Sequence, residues 1–126
     1  MAARKGNGNP VAEDDLLHPE SPYGETKVVG EWMVRDAGIA WGLSWIALRY
    51  FNVVGAGAPD LGDVSVFNLV PMALRALSAG RAPQIFGDDY PTPDGTCIRD
   101  YIHILDLAQA HMLALTAPQS AKYNLG

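Results

Sequence analysis

The sequence predicts an α/β fold with a parallel sheet, and three observations carry that reading. Residues Ser44 to Val54 hold Trp45, Ile46, Leu48, Tyr50, Phe51 and Val53, too dense for simple alternation. Such density suits a strand buried on both faces, as in a parallel sheet. Segments with helical spacing of apolar residues lie on either side of it, bounded by helix-starting and helix-stopping residues. Helix and strand signals then alternate along the chain with irregular loops between them.

Residues 1–20, rich in Gly, Asn, Pro and acids, read as a flexible lead-in, which leaves 21–126 as the folded part. Ser21 suits an N-cap and Pro22 a first helical residue, so a helix is expected from about Pro22 to Ala37, stopping at Gly38. Val28, Val29, Trp32 and Met33 give it an apolar stripe. The following strand ends at Gly55, Gly57 and Pro59. Ser65 is placed to cap a helix reaching about Ala79, with Leu69, Met72, Ala73, Ala76 and Leu77 inward and Gly80 as the stop. Gln84-Ile85-Phe86 reads as a short strand and Cys97 to Ile104 as another. Asp106 is a candidate cap for a helix through Leu115, with Pro118 beyond, and Lys122 to Leu125 a last short strand. No internal repeat or low-complexity segment interrupts this order.

At 126 residues the chain is one domain or part of one, and 48% apolar residues suffice for a core. A net charge of -5 without a basic run argues against a nucleic-acid partner. Cys97 stands alone and the three histidines are scattered, so neither a disulfide nor a metal site is expected. The start, Met1 to Gly6, is too polar for a signal peptide, and no apolar run approaches a membrane span. A cytoplasmic protein without a membrane partner is the expectation. No Gly-x-Gly-x-x-Gly occurs, and Gly55-Ala56-Gly57 has Asp60 where the third glycine belongs. A dinucleotide fold needs that turn after its first strand, so that half is absent from this sequence.

The chemistry centres on Ser21-Pro22-Tyr23-Gly24-Glu25-Thr26-Lys27. Tyr23 and Lys27 fall one helical turn apart on one face. A fixed cation beside a phenol favours the phenolate, which makes a base able to take a proton from a hydroxyl group. Such a pair also arises on ordinary solvated helix faces.

Further blocks raise its weight: Leu48-Arg49-Tyr50-Phe51-Asn52, Phe67-Asn68-Leu69-Val70-Pro71, and the run from Ile85 through Asp88-Asp89-Tyr90-Pro91-Thr92-Pro93-Asp94-Gly95-Thr96-Cys97-Ile98-Arg99-Asp100-Tyr101-Ile102-His103. With these, Ser21 to Gly126 resembles the UDP-glucose 4-epimerases of the extended short-chain dehydrogenase/reductase superfamily. The Tyr-x-x-x-Lys, Arg-Tyr-Phe-Asn and Arg-Asp-Tyr-Ile-His blocks are shared among nucleotide-sugar epimerases and dehydratases. The Asp-Tyr-Pro-Thr-x-Asp-Gly-Thr loop points to the UDP-glucose/UDP-galactose branch.

The resemblance implies a partial Rossmann-type parallel sheet with part of a smaller substrate-binding lobe, NAD as cofactor, and a homodimer in the full-length form. It makes Tyr23 the catalytic base, with Lys27 favouring its phenolate and holding the nicotinamide ribose. UDP-galactose and UDP-glucose are then interconverted through a 4-keto sugar, a step of galactose metabolism. Tyr50 and Phe51 match positions near the nicotinamide, although both also suit a plain core. Asn52 matches a contact to the substrate diphosphate, and Asn68 and Leu69 contacts to pyrophosphate and uridine. Gln84 and Phe86 match positions that hold uracil. Arg99 matches a diphosphate ligand, with a salt bridge to Asp100 as its other use. His103 and His111 read as structural residues. The family's Ser or Thr upstream of the tyrosine has no counterpart, because Met1 to Val11 contains neither. For this polypeptide taken alone, weak NAD binding and no turnover are expected, making an inert or merely UDP-binding piece the alternative. Another nucleotide-sugar 4-epimerase or a 4,6-dehydratase is the alternative within the enzyme class, against which the acidic loop argues.

Overall fold

The computed structural model describes residues 10–126. Helix α1 spans Pro22–Trp41, and its start is closed as anticipated, with the Ser21 hydroxyl accepting the Gly24 N–H at 3.1 Å. The helix does not stop at Gly38. It continues to Gly42, whose positive φ of 65° allows its N–H to reach the Gly38 carbonyl. Gly38 serves closeness instead: a Cβ there would lie 2.4 Å from Cδ1 of Trp45.

The strand expected over Ser44 to Val54 forms in two pieces, β1 (Ile46–Tyr50) and β2 (Asn52–Val54). Strand β4 (Ala121–Leu125) runs parallel to β1, pairing Ile46 with Ala121 and Tyr50 with Leu125. Strand β3 (Tyr101–His103) runs parallel to β2, pairing Asn52 with Tyr101. The exchange of partners happens at one peptide. The Phe51 N–H donates to the Leu125 carbonyl and the Asn52 N–H to the Asp100 carbonyl, on opposite sides of the chain. The long strand therefore sits between β4 and β3.

Helix α3 (Ile104–Ala114) links β3 to β4, packs on β1, β2 and β3, and contributes Leu107, 6% exposed. Its cap is the His103 ring, whose Nδ1 accepts the Leu105 N–H at 3.2 Å, rather than Asp106. Tyr50 meets His111 of α3 at 6.2 Å between ring centroids, while Arg49 reaches α1. Alternation along β1 thus gives α3 one face of the sheet and α1 the other. The α/β class predicted from the alternation of elements is the architecture observed.

Three other expectations are corrected. Helix α2 spans Leu69–Ser78 with Asn68 at its N-cap; Ser65 instead accepts the Phe67 N–H in the preceding turn. Gln84-Ile85-Phe86 forms no strand, since a strand needs a neighbour and no ladder reaches it among the described residues. Strand β3 keeps only Tyr101–His103 of the Cys97 to Ile104 run, because β2 is three residues long. The lead-in is also more ordered than its composition implies. The Glu13 carboxylate accepts the Asn124 N–H at 2.8 Å, and the Val11 carbonyl accepts Nδ2 of Asn124 at 2.9 Å. Asp14 pairs with Lys122 at 3.0 Å. Residues 1–9 of that lead-in lie outside the described part.

The two central glycines of α1 give a signed test in denaturant unfolding. Gly38→Ala forces a methyl group into Trp45, so it is expected to lose about 1–3 kcal/mol. Gly30 has nothing within 4 Å of an added Cβ, so Gly30→Ala is expected to gain about 0.5–1 kcal/mol.

Candidate active site

The cap at Ser21 fixes where the first turn of α1 begins, and with it the placing of Tyr23 and Lys27. The Lys27 ammonium stands 5.1 Å from the centroid of the Tyr23 ring. That is cation–π distance, so the two side chains are neighbours as the i,i+4 spacing requires. Tyr23 is 72% exposed, and Lys27 is exposed too, leaving both free to meet a ligand. The Thr26 hydroxyl donates to the Tyr23 carbonyl at 2.8 Å, a contact that tightens the same turn.

The strand residues divide between the two faces of the sheet. Tyr50 turns to α3 and His111, away from the helix that carries Tyr23. Phe51, two residues beyond Arg49, shares the α1 face by alternation, and its ring approaches Gly126 at the end of β4. Asn52 is exposed, and its Nδ2 donates to the Asp100 carbonyl at 3.2 Å, joining β2 to the start of β3. Asp100 spends a carboxylate oxygen on the Tyr101 N–H at 3.1 Å. Arg99 forms no ion pair among the described residues and is exposed.

Asn68 and Leu69 lie together at the start of α2. Nδ2 of Asn68 donates to Asp63 at 2.6 Å and, with the Ser65 N–H, holds the Asp63 carboxyl below its ordinary range. Gln84 and Phe86 lie on an irregular segment, with Phe86 79% exposed. The next loop closes on itself: Asp94 accepts the N–H and the hydroxyl of Thr96, both at 3.0 Å. Those bonds hold the Asp94 carboxyl below the ordinary aspartate range. Among the described residues no cluster of His, Cys, Asp and Glu has metal-site geometry. Junction residues Phe51, Asn52 and Asp100 are thus gathered at one point, whereas Asn68 and Leu69 lie at the start of α2 and Gln84 and Phe86 on the irregular segment after it.

The residues that sequence reasoning passed over are Arg49 and Glu31. Nε of Arg49 donates to Glu31 at 2.7 Å, a second guanidinium nitrogen donates to the other carboxylate oxygen, and Nη1 donates to the Glu13 carbonyl at 2.9 Å. Their side chains are 7% and 16% exposed. Arg49 holds the Glu31 carboxyl below its usual range, chiefly by hydrogen bonding, and Glu31 in turn raises Arg49. The signal was present: a single arginine inside an apolar strand requires a counter-ion, and Glu31 continues the spacing of Tyr23 and Lys27.

Helices on both faces of a parallel sheet, with a Tyr-x-x-x-Lys pair opening one of them, define a class. The chain belongs to the NAD dependent epimerase/dehydratase family, whose model matches residues 2–126. It is 52% identical over 110 residues to the UDP-glucose 4-epimerase of Azospirillum brasilense, covering 84% of this chain and 32% of that one. To the UDP-glucose 4-epimerase of Lacticaseibacillus casei it is 44% identical over 127 residues, covering 93% of this chain and 38% of that one. The crystal structure of UDP-glucose 4-epimerase from Brucella ovis in complex with NAD matches with TM-score 0.78 and 46% identity, over 93% of this chain and 38% of that chain. The Thermotoga maritima UDP-glucose 4-epimerase structure with UDP-glucose matches with TM-score 0.67 and 27% identity, over all of this chain and 36% of that one. The chain thus spans 32–38% of the length of these relatives.

The Glu31–Arg49 pair sets a pH dependence. A carboxyl whose folded value is lowered stabilises the fold fully above its unfolded value and loses that contribution as pH falls through the folded one. Wild-type unfolding free energy is therefore expected to drop more steeply than that of Glu31→Gln once pH passes below 4.5, the ordinary glutamate value. Parallel slopes for the two proteins in acid denaturant titrations would remove the pair from the stability account.

Proposed function

We propose that the protein carrying this chain is a UDP-glucose 4-epimerase that interconverts UDP-galactose and UDP-glucose with bound NAD. The observation that carries the reading is the capped, exposed Tyr23 with the Lys27 ammonium against its ring. Identity to UDP-glucose 4-epimerases over most of this chain supports the choice of sugar nucleotide.

The residues present fit one end of the cofactor. Tyr23, Lys27 and Phe51 offer a hydroxyl, an ammonium and an apolar ring for a ribose and its nicotinamide. No Gly-x-Gly-x-x-Gly turn for the pyrophosphate occurs in this sequence. When bound, the cofactor supplies a hydride acceptor and donor for the sugar's C4. Tyr23 takes the proton of the C4 hydroxyl as the carbon becomes a ketone and returns it afterwards. Lys27, its ammonium beside the Tyr23 ring, hydrogen-bonds the ribose. Arg99, with no ion pair among the described residues, has its fork free for the diphosphate, beside Asn52. Asn68 and Leu69 serve the pyrophosphate and uridine, and Gln84 and the exposed Phe86 ring serve uracil, with Tyr50 supporting from the α3 side.

Val29, Trp32, Met33 and Ile39 are exposed along α1, which supports pairing of two copies through that helix. A cytoplasmic location belongs to the same reading; no helix of the described residues is long and apolar enough to cross a membrane.

In the intact protein, Tyr23→Phe is expected to lower kcat for UDP-galactose by about a hundredfold or more. Arg99→Ala is expected to weaken UDP binding by about tenfold or more, the scale of a lost charged hydrogen bond. A Tyr23→Phe protein that turns over at the parent rate overturns the assignment. Residues 1–126 alone leave Leu74, Leu77, Met112 and Leu115 exposed and lack the glycine-rich turn. That favours weak NAD binding and no turnover by the isolated polypeptide; saturable, tight binding in calorimetry would contradict it.

A further inference from the structure

We propose that Glu31 and Arg49 are positioning residues, an ionic pin that sets the azimuth and tilt of α1 so that Tyr23 and Lys27 meet the Phe51 end of the central strand. The inference rests on the active-site reading above, and it deepens that reading by naming what aims the base.

The argument is geometric. At about 100° per residue, Tyr23, Lys27, Gly38 and Glu31 fall within an arc of about 80° on α1. The chemical pair and the two points where α1 touches the β1 region thus share one side of the helix. One point is steric: Gly38 lies against Trp45, with no room for a Cβ. The other is the two-pronged bond from Arg49 to Glu31. A single contact leaves a helix free to pivot, whereas two contacts on one side, about two turns apart, fix it.

The lever is long. Gly38 lies about 22 Å along the axis from Tyr23, so a tilt of about 5° about it moves Tyr23 by about 2 Å. Misplacement of about 1 Å can cost about a hundredfold in rate. A planar guanidinium gripping both oxygens of one carboxylate restricts rotation as well as distance, which an ammonium does not. The third Arg49 contact, to the Glu13 carbonyl, holds the guanidinium in its plane from the far side. Little else ties the front half of α1 to the sheet: Val28 is its buried apolar residue there, while Val29, Trp32 and Met33 are exposed. The strand side of the pin is equally direct, because Arg49 precedes the Tyr50-Phe51-Asn52 junction where β1 and β2 exchange partners.

The test uses Arg49→Lys and Glu31→Gln in the intact protein, which keep most of the packing. Initial rates are read as kcat and KM on unlabelled proteins. Spin labels at Glu25→Cys and Gln119→Cys, with Cys97→Ser and any other accessible cysteine of the intact protein replaced, report the distance from the front of α1 to the start of β4 by pulsed electron resonance, with or without turnover. The expected result is a kcat lower by about ten- to a hundredfold, KM for UDP-galactose within about twofold, and a broadened or shifted distance in both variants. A purely structural role would lower the melting temperature while leaving kcat per folded molecule and the distance unchanged, and that result overturns the proposal. If the parent protein shows no turnover, the function assigned above fails, and the distance alone decides the pin: broadening upholds it and an unchanged distribution overturns it.

Discussion

A guanidinium 7% exposed to solvent inside an apolar strand is the constraint from which much of this arrangement follows. Arg49 has to be neutralised where it sits, since an unpaired charge at that depth costs several kcal/mol. Glu31 supplies the charge from α1 and the Glu13 carbonyl a further acceptor from the segment before it. One side chain therefore fixes three separate parts of the chain against one another. The lead-in is held for the same reason: its acids and carbonyls are complementary to Arg49, Asn124 and Lys122, which β1 and β4 place together.

The second organising feature is the peptide at which the central strand changes partners. Phe51 bonds toward β4 and Asn52 toward β3, so the residues between Tyr50 and Asn52 mark the join of two ladders. Parallel strands need helical crossovers, and α3 supplies the one that carries the chain from β3 to β4 over a single face. The opposite face is left to α1. That division separates Tyr50 from Tyr23 and leaves Phe51 on the side of the Tyr-x-x-x-Lys helix.

Local chemistry was legible. The Ser21-Pro22 start of α1, the apolar density of the central strand and the last strand before Gly126 all depend on near neighbours in sequence, and all three formed. The misreadings have a common cause. Gly38 looked like a stop because glycine lacks a side chain, but the structure uses that lack for contact with Trp45, seven residues on. Asp106 looked like a cap, yet α3 begins at Ile104, directly after β3, which puts Asp106 in its first turn and leaves the cap to the His103 ring. Gln84-Ile85-Phe86 has strand composition without a strand partner among the described residues.

By itself the sequence determined the α/β class, the start of α1 and the placing of Tyr23 and Lys27 one turn apart, because caps and helical spacing act over a few residues. Only the tertiary structure decided which face of the sheet each candidate occupies, where the strand trades partners, and that Arg49 closes on Glu31. Those outcomes depend on groups 18 to 48 residues apart finding each other, as in Arg49 with Glu31 and Asn52 with Asp100. A buried charge or an unpaired strand edge states that a partner is required; folding alone selects which one.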